Sequence, residues 1–318
     1  MANGNLTAAK KAKNDEFYTQ FEDIQNELKH YEKHFDGKTV FCNCDDPTWS
    51  NFWRFFHLKF GEWGLKKLIA THYDTEKSTY KMEYTGGDDL NVAAGVITPL
   101  MQNGDFRSPE CIEFLKEADI VVTNPPFSLF REYVAQLMEY RKSFVIIGNM
   151  NAITTKEIFP LFKNNEVWYG PSISSGDRKF GVPDSYPLNA AGCGIDEHGQ
   201  HYICVKGVRW FTNLDHKKRH EPIDLVERYS AEKYPKYDNY DAINVARTLD
   251  IPMDYIGVMG VPISFLDKYC PEQFEIVGMS ASWDETMEMK YIKLSNSHRH
   301  NPILNGKELY RRIFVKWR

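Results

Sequence analysis

No apolar run in this 318-residue chain approaches the roughly 20 residues that a membrane-crossing helix needs, so no membrane partner is expected. Cysteine is scarce. The six residues (42, 44, 111, 193, 204 and 270) are too few for a disulfide scaffold at this length. Several fall in apolar, strand-like runs, which suits reduced, buried thiols and a soluble protein of the cytoplasm. The opening stretch MANGNLTAAKKAKNDE has no apolar core, so no secretory leader is expected. No G-x-G-x-x-G follows any strand-like run, which argues against a dinucleotide dehydrogenase. A surplus of positive charge is missing as well: 39 Lys and Arg against 44 Asp and Glu leave −5, where nucleic-acid binders usually carry a basic excess. What is present is ordinary globular material, 42% hydrophobic and 26% charged, which excludes collagen-like and wholly disordered chains.

The charge is unevenly spread. Residues 1–199 hold 21 basic and 28 acidic groups, a net of −7, and residues 200–318 hold 18 and 16, a net of +2. The last stretch, 290–318, carries eight basic residues against Glu308 alone. A solvated face is the plain explanation for such a tail. An anion-binding surface is the other.

Apolar periodicity outlines the architecture. Phe17, Phe21, Ile24, Leu28 and Tyr31 recur every three or four residues and predict a helix over 16–34. Strands are predicted over 39–44, 65–73, 119–123 and 143–149. Helices are predicted over 51–60, 108–117, 129–140 and 155–163. Strands alternating with helices imply an α/β fold with a doubly wound, mostly parallel sheet of the Rossmann-like kind. The runs Ile120-Val121-Val122 and Phe144-Val145-Ile146-Ile147 are what strands covered on both faces look like. After Gly170 the texture changes, with loops and hairpins expected over 171–200 and a strand-like run over 201–214. Asn305-Gly306 signals a type I′ hairpin. Two domains are expected, 1–214 and 215–318, the division placed to within about a dozen residues.

In a wound sheet, ligands bind beyond the carboxyl ends of the strands, beside a topological switch. The residues that follow the predicted strands are therefore the candidates: Cys44-Asp45-Asp46-Pro47, then Asp74, then Asn103-Gly104-Asp105-Phe106, then Asn124-Pro125-Pro126-Phe127. The last is the sharpest. Two prolines end a ladder and fix φ at both positions, which gives Asn124 and the Pro125 carbonyl a defined direction. An amide oxygen and a main-chain carbonyl, both acceptors, can together hold a planar amino group. Phe127 offers a face for a heterocycle. An ordinary turn is the competing explanation.

This tetrapeptide resembles the Asp/Asn-Pro-Pro-Tyr/Phe motif of S-adenosylmethionine-dependent amino-methyltransferases. Further segments, in the same order, resemble the EcoRI-type family of adenine-specific DNA methyltransferases: DEFYTQ (15–20), CNCDDP (42–47), GDFRS (104–108), IVVTNPPFSLFRE (120–132), YPKYDNYDAINV (234–245) and GVMGVPISF (257–265). The resemblance covers nearly the whole chain. It implies a methyltransferase domain followed by a C-terminal target-recognition region, acting on the N6 amine of a flipped-out adenine in double-stranded DNA. It also implies S-adenosylmethionine as cofactor. Tyr18 and Thr19 would lie over the methionine end of that cofactor. Asp45 and Asp46, with Pro47, would face its amino-acid and ribose portions. Asp74 would take the ribose hydroxyls, Asp105 with Phe106 the adenine, and Asn124, Pro125, Pro126 and Phe127 the target base, Asn124 also touching the cofactor. The chain departs from many methyltransferases in lacking a glycine-rich turn after the first strand.

Cations for the DNA backbone are sought among Lys217, Lys218, Arg219, Arg299, Arg311 and Arg312, with Lys10, Lys11 and Lys13 as an N-terminal arm. Cys193, His198, His201 and Cys204 match no common metal spacing, and no metal is expected. The Tyr-rich stretch 229–240 could stack on bases or pack the second domain. A monomer is expected. The alternatives are methylation of an RNA adenine or a protein glutamine amide, and a DNA-binding relative without catalysis. The basic C-terminal module disfavours a protein substrate, and the intact Asn-Pro-Pro-Phe disfavours an inactive relative.

Overall fold

The computed structural model describes residues 17–44, 46–74, 78–184, 186–188, 192–290 and 300–318. Lys10, Lys11, Lys13, Asp45 and Arg299 lie outside them. Among the described residues no helix is long and apolar enough to cross a membrane. By internal contacts the chain forms two compact units. The first takes in residues up to 152 and then Tyr169–His216; the second takes in Ile153–Trp168 and Lys217–Arg318.

The elements run in the order Tyr18–Thr19 (β1), Phe21–Leu28 (α1), Thr39–Cys42 (β2), Asn51–Leu58 (α2), Lys67–Thr71 (β3), Tyr80–Tyr84 (β4), Val96–Pro99 (β5), Pro109–Glu117 (α3), Ile120–Thr123 (β6), Phe130–Glu139 (α4) and Ser143–Asn149 (β7). Phe159–Lys163 (α5) and Trp168–Tyr169 (β8) follow, then Asp177–Gly181 (β9), Cys193–Ile195 (β10), His201–Lys206 (β11) and Val208–Thr212 (β12). The large sheet has the strand order β5-β4-β3-β2-β6-β7-β12-β8.

Its centre, β3-β2-β6-β7, is parallel. Helices α2, α3 and α4 lie on the crossovers that parallel neighbours require. All four residues of β2 are buried, and its two faces meet different helices. Phe41 packs edge-on against Phe114 of α3 with ring centroids 6.3 Å apart, whereas Val40 and Cys42 join the cluster built on Phe52, Phe55 and Phe56 of α2. Ser50 opens α2 by accepting from the Phe52 and Trp53 N–H groups, and Ser108 does the same for Cys111 in α3.

The expectation of a mostly parallel sheet is corrected. β4 runs antiparallel to β3, β5 to β4 and β12 to β7, so the sheet is mixed. Among the described residues no helix lies between β3 and β4, and an antiparallel neighbour needs none. The predicted 16–34 helix is also shorter. Its first residues are drawn into β1, where Tyr18 pairs with Gly181 and Thr19 with Phe180. That pairing opens a small antiparallel sheet of order β1-β9-β11-β10. The run 201–214 divides into β11 and β12 at Gly207, whose φ of +71° makes the turn.

In the second unit, Ile243–Asn244 (β13), Met259–Val261 (β14), Phe274–Met279 (β15) and Ile313–Trp317 (β18) form a sheet of order β13-β14-β18-β15. Ile303–Leu304 (β16) and Lys307–Glu308 (β17) are joined through Asn305 and Gly306 at φ 51° and 72°, the type I′ geometry. Residues 153–168, placed by sequence with the first part, pack here instead. Phe159 sits 5.7 Å from Trp283, Lys163 Nζ donates to Thr286 Oγ1 at 2.9 Å, and Arg311 Nη1 donates to the Thr154 carbonyl at 3.0 Å.

Candidate active site

After β2 the chain moves to β3 on one side and later to β6 on the other, so the switch point lies between β2 and β6. Phe41 pairs with Val121 across that gap. Cys44 and Asn124 each stand three residues further on, so the two chains leave the sheet side by side.

Asn124 is 3% exposed, and its Nδ2 donates to the Phe17 carbonyl at 2.7 Å. A carbonyl can only accept, so the amide nitrogen is fixed on that side and Oδ1 is turned to the other. There Oδ1 is buried without a partner. A buried unpaired acceptor costs about 1–3 kcal/mol and is retained where a ligand supplies the donor. The Pro126 carbonyl accepts from Leu129 N–H at 3.0 Å, which closes the turn into α4. Phe127 is half-buried, its ring set edge-to-face against Phe17 and Phe180 at 5.9 and 6.3 Å.

Other buried, unpartnered polar atoms gather at the same edge: Thr123 Oγ1 at the end of β6, Thr19 Oγ1 on β1 and His72 Nδ1 after β3. Alternation along β1 separates two residues that the sequence grouped. Phe17 and Thr19 are buried, while Tyr18 lines a cavity of about 660 Å³ with Trp49, Asn51 and Gln200. Asn51 Nδ2 donates to the Thr19 carbonyl at 2.8 Å, tying the first turn of α2 to β1.

Asp46 organises the turn that replaces a glycine-rich loop. Its Oδ1 accepts from Thr48 N–H (2.9 Å), Thr48 Oγ1 (2.7 Å) and the Tyr80 hydroxyl (2.6 Å). Its carbonyl accepts from the N–H groups of Trp49 and Ser50. Burial works to raise the Asp46 carboxyl, but the bonds from Tyr80 and Thr48 outweigh it and hold the group below the ordinary carboxylate range. Burial, and then the bond to Asp46, push the Tyr80 phenol up to about 12. Pro47 is buried beside this turn.

The Asp74 N–H donates to the Asn103 carbonyl at 3.1 Å, which docks the 103–106 loop on the end of β3. Gly104 makes that approach possible. It has φ +73°, and a Cβ there would lie 1.9 Å from the His72 carbonyl oxygen. Asp105 is engaged by Arg107, through Nε to Oδ1 at 2.9 Å and Nη2 to Oδ2 at 2.6 Å, and this pairing lowers its carboxyl. Oδ1 also accepts from the Arg107 N–H at 2.9 Å, which leaves the second lone pair of Oδ2 for another donor. Phe106 is buried edge-on against Tyr133 at 5.0 Å.

His72, Tyr80, Asn43 and Tyr133 were not singled out from the sequence. The Tyr133 hydroxyl donates to Asn43 Oδ1 and fastens α4 to the end of β2. The only signal of that pair was a polar Asn inside an apolar run.

In the second unit the candidate cations differ. Lys217 and Lys218 are exposed. Arg219 lies 3.6 Å over the Trp168 ring and donates to Asn165 at 2.9 Å. Arg311 is partly buried, which lowers its guanidinium, and Arg312 is also partly buried. The Tyr-rich stretch mostly packs, with Tyr234, Tyr237 and Tyr240 buried and bonded to Asp250, Asn244 and His300. Tyr229 keeps 37% exposure and packs on Tyr255 at 4.7 Å. Among the described residues no group of three His, Cys, Asp or Glu could hold a metal ion.

The first unit is thus a mixed α/β fold whose switch point gathers buried polar atoms without partners among the described residues, an arrangement that suits a ligand bringing amine and hydroxyl donors. A family model described as adenine-specific methyltransferase EcoRI matches residues 5–318. The chain is 46% identical over 325 residues to Type II methyltransferase M.EcoRI of Escherichia coli, spanning 98% of this chain and 95% of that one. It is 41% identical over 322 residues to Type II methyltransferase M.MpnI of Mycoplasma pneumoniae, spanning 98% and 97%. It is 38% identical over 317 residues to Type II methyltransferase M.MgeORF184P of Mycoplasma genitalium, spanning 97% of each. The chain belongs to the EcoRI family of adenine-specific methyltransferases.

Proposed function

We propose that this enzyme transfers a methyl group from S-adenosylmethionine to N6 of an adenine flipped out of double-stranded DNA at a specific sequence. The observation that carries the reading is Asn124 Oδ1, an acceptor aimed by the Phe17 carbonyl and left buried without a donor. The residues present suit the cofactor. Asp46, Asp74, Asp105, Thr19 and His72 offer acceptors for the hydroxyl and amine groups of a nucleoside carrying an amino acid. When bound, the cofactor supplies a sulfonium methyl, an electrophile that needs no metal.

The chain's own residues position the nucleophile. A target amine cannot be reached inside a duplex, so the nucleotide leaves the stack at a cost of a few kcal/mol. Stacking on Phe127 recovers about 1–3 kcal/mol of that. Asn124 Oδ1 and the Pro125 carbonyl accept the two amine hydrogens. This would favour a localised nitrogen lone pair; as the N–C bond forms the C–S bond breaks, and the nitrogen gives up one proton to solvent. The rate gain comes from positioning and preorganised dipoles. The second unit serves target recognition, with Lys217 and Lys218 as exposed phosphate contacts.

Sequencing of DNA from cells expressing the enzyme, by a method sensitive to N6-methyladenine, is expected to reveal one modified motif. Unmodified adenine throughout would overturn the reading. Phe127→Trp is expected to retain more turnover than Phe127→Ala, because only the former keeps a stacking face; equal losses would remove stacking from the mechanism. Asp105→Ala is expected to weaken cofactor binding about tenfold by calorimetric titration, equivalent to about 1.4 kcal/mol. A wild-type titration would release Asp105 from that role.

A further inference from the structure

We infer that His72 contacts the methyl donor directly, its Nδ1 accepting a hydrogen bond from a ribose hydroxyl. The inference rests on the methyl-transfer reading and adds a ligand residue to it. His72 follows β3 at the carboxyl edge of the sheet and is 8% exposed. Its Nε2 lies 3.8 Å from Asp46 Oδ2. A carboxylate on that side favours the neutral tautomer with its proton on Nε2. Nδ1 is then a bare acceptor, and it is buried without a partner.

Among the described residues the ring meets Tyr80 on one side and Asp46 on another. The Tyr80 ring of β4 packs against it at 4.9 Å and 69°. Asp46, on the turn after β2, is itself fixed by Tyr80 and by Thr48. The 103–106 loop reaches the His72 carbonyl closely enough that only glycine fits at 104. Burial alternates over His72, Tyr73 and Asp74, from buried to exposed to half-buried. His72 and Asp74 thus share the inner side, two acceptors side by side. A vicinal diol offers two adjacent donors. The antiparallel β4 then has a role in the site: it brings in the phenol that keeps Asp46, and through it His72, in place.

The test is a calorimetric cycle on the full chain with S-adenosylhomocysteine and its 2′-deoxy and 3′-deoxy analogues. Wild type is expected to bind one deoxy analogue about tenfold more weakly than the parent. His72→Ala is expected to bind the parent about tenfold more weakly and to lose the discrimination against that analogue. His72→Gln, which keeps an acceptor oxygen, should recover part of both and guards against a variant that merely fails to fold. Equal weakening of all three ligands by His72→Ala would mean packing alone and overturn the proposal, as would wild-type behaviour of that variant. If wild type binds none of the three, the methyl-donor reading falls and this one with it.

Discussion

Asn124→Ala is expected to lower methyl-transfer turnover by about 10²–10³-fold, the range for removing one preorganised group from a developing charge. Affinity for S-adenosylhomocysteine and for duplex DNA should change several-fold at most. Two losses combine in this variant. The acceptor for the target amine disappears, and the Phe17 carbonyl, which received Nδ2 at 2.7 Å, loses its donor. Asn124→Asp separates the two, because it keeps an acceptor oxygen but sets a second oxygen against that carbonyl. Its turnover is expected to fall between wild type and alanine. Single-turnover kinetics with saturating cofactor and DNA provide the measurement. Turnover within threefold of wild type for the alanine variant would remove Asn124 from the chemistry.

Gly104→Ala is expected to be the most damaging small substitution at the cofactor edge. At φ +73° an L side chain costs about 1–2 kcal/mol. The added Cβ would meet the His72 carbonyl oxygen at 1.9 Å, a backbone atom with no rotamer to escape into. The 103–106 loop must therefore move off β3, breaking the bond from Asp74 N–H to Asn103 and displacing Asp105 and Phe106. Cofactor affinity is expected to fall more than tenfold, with a lower melting temperature. Gly37→Ala is the control. It has φ +69° and nothing within 4 Å of a new Cβ, so it bears the conformational cost alone and should bind cofactor as wild type does. Equal affinities for the two variants would show that the contact with His72 is not what matters.

The sequence exposed those parts of the fold in which one physical signal dominates. β7 was delimited to the residue because a strand covered on both faces reads as an unbroken apolar run. β4 and β5 left no such trace. Tyr80–Tyr84 alternates Tyr80, Met82 and Tyr84 with Lys81 and Glu83, the pattern of a strand with one buried face, which went unread because it is only five residues long; Val96–Pro99 is exposed throughout and shows no buried periodicity. The end of the first helix was misplaced for a tertiary reason, since Phe17 and Tyr31 are buried but lie outside α1. At the site, the Asn-Pro-Pro-Phe turn was legible because two prolines after a strand have few structural explanations. Tyr80 and His72 were not, because their relation to Asp46 exists only once β4 has folded back along β3. No spacing in the chain encodes that.

The anchoring of Asn124 on Phe17 also governs when the enzyme becomes competent during its synthesis. The two residues are 107 positions apart, and the strand that Phe17 leads into is paired by β9, which β11 supports in turn. β12 then completes its place beside β7 only at Thr212. The parallel core can form as its own segments leave the ribosome, whereas the aiming of the acceptor waits for about two-thirds of the chain. A nascent fragment ending before β9 would carry the whole Asn-Pro-Pro-Phe turn with its amide still unaimed. Methyl transfer by ribosome-bound chains therefore needs both the small sheet and the later unit proposed to recognise DNA, and is expected only once both have emerged.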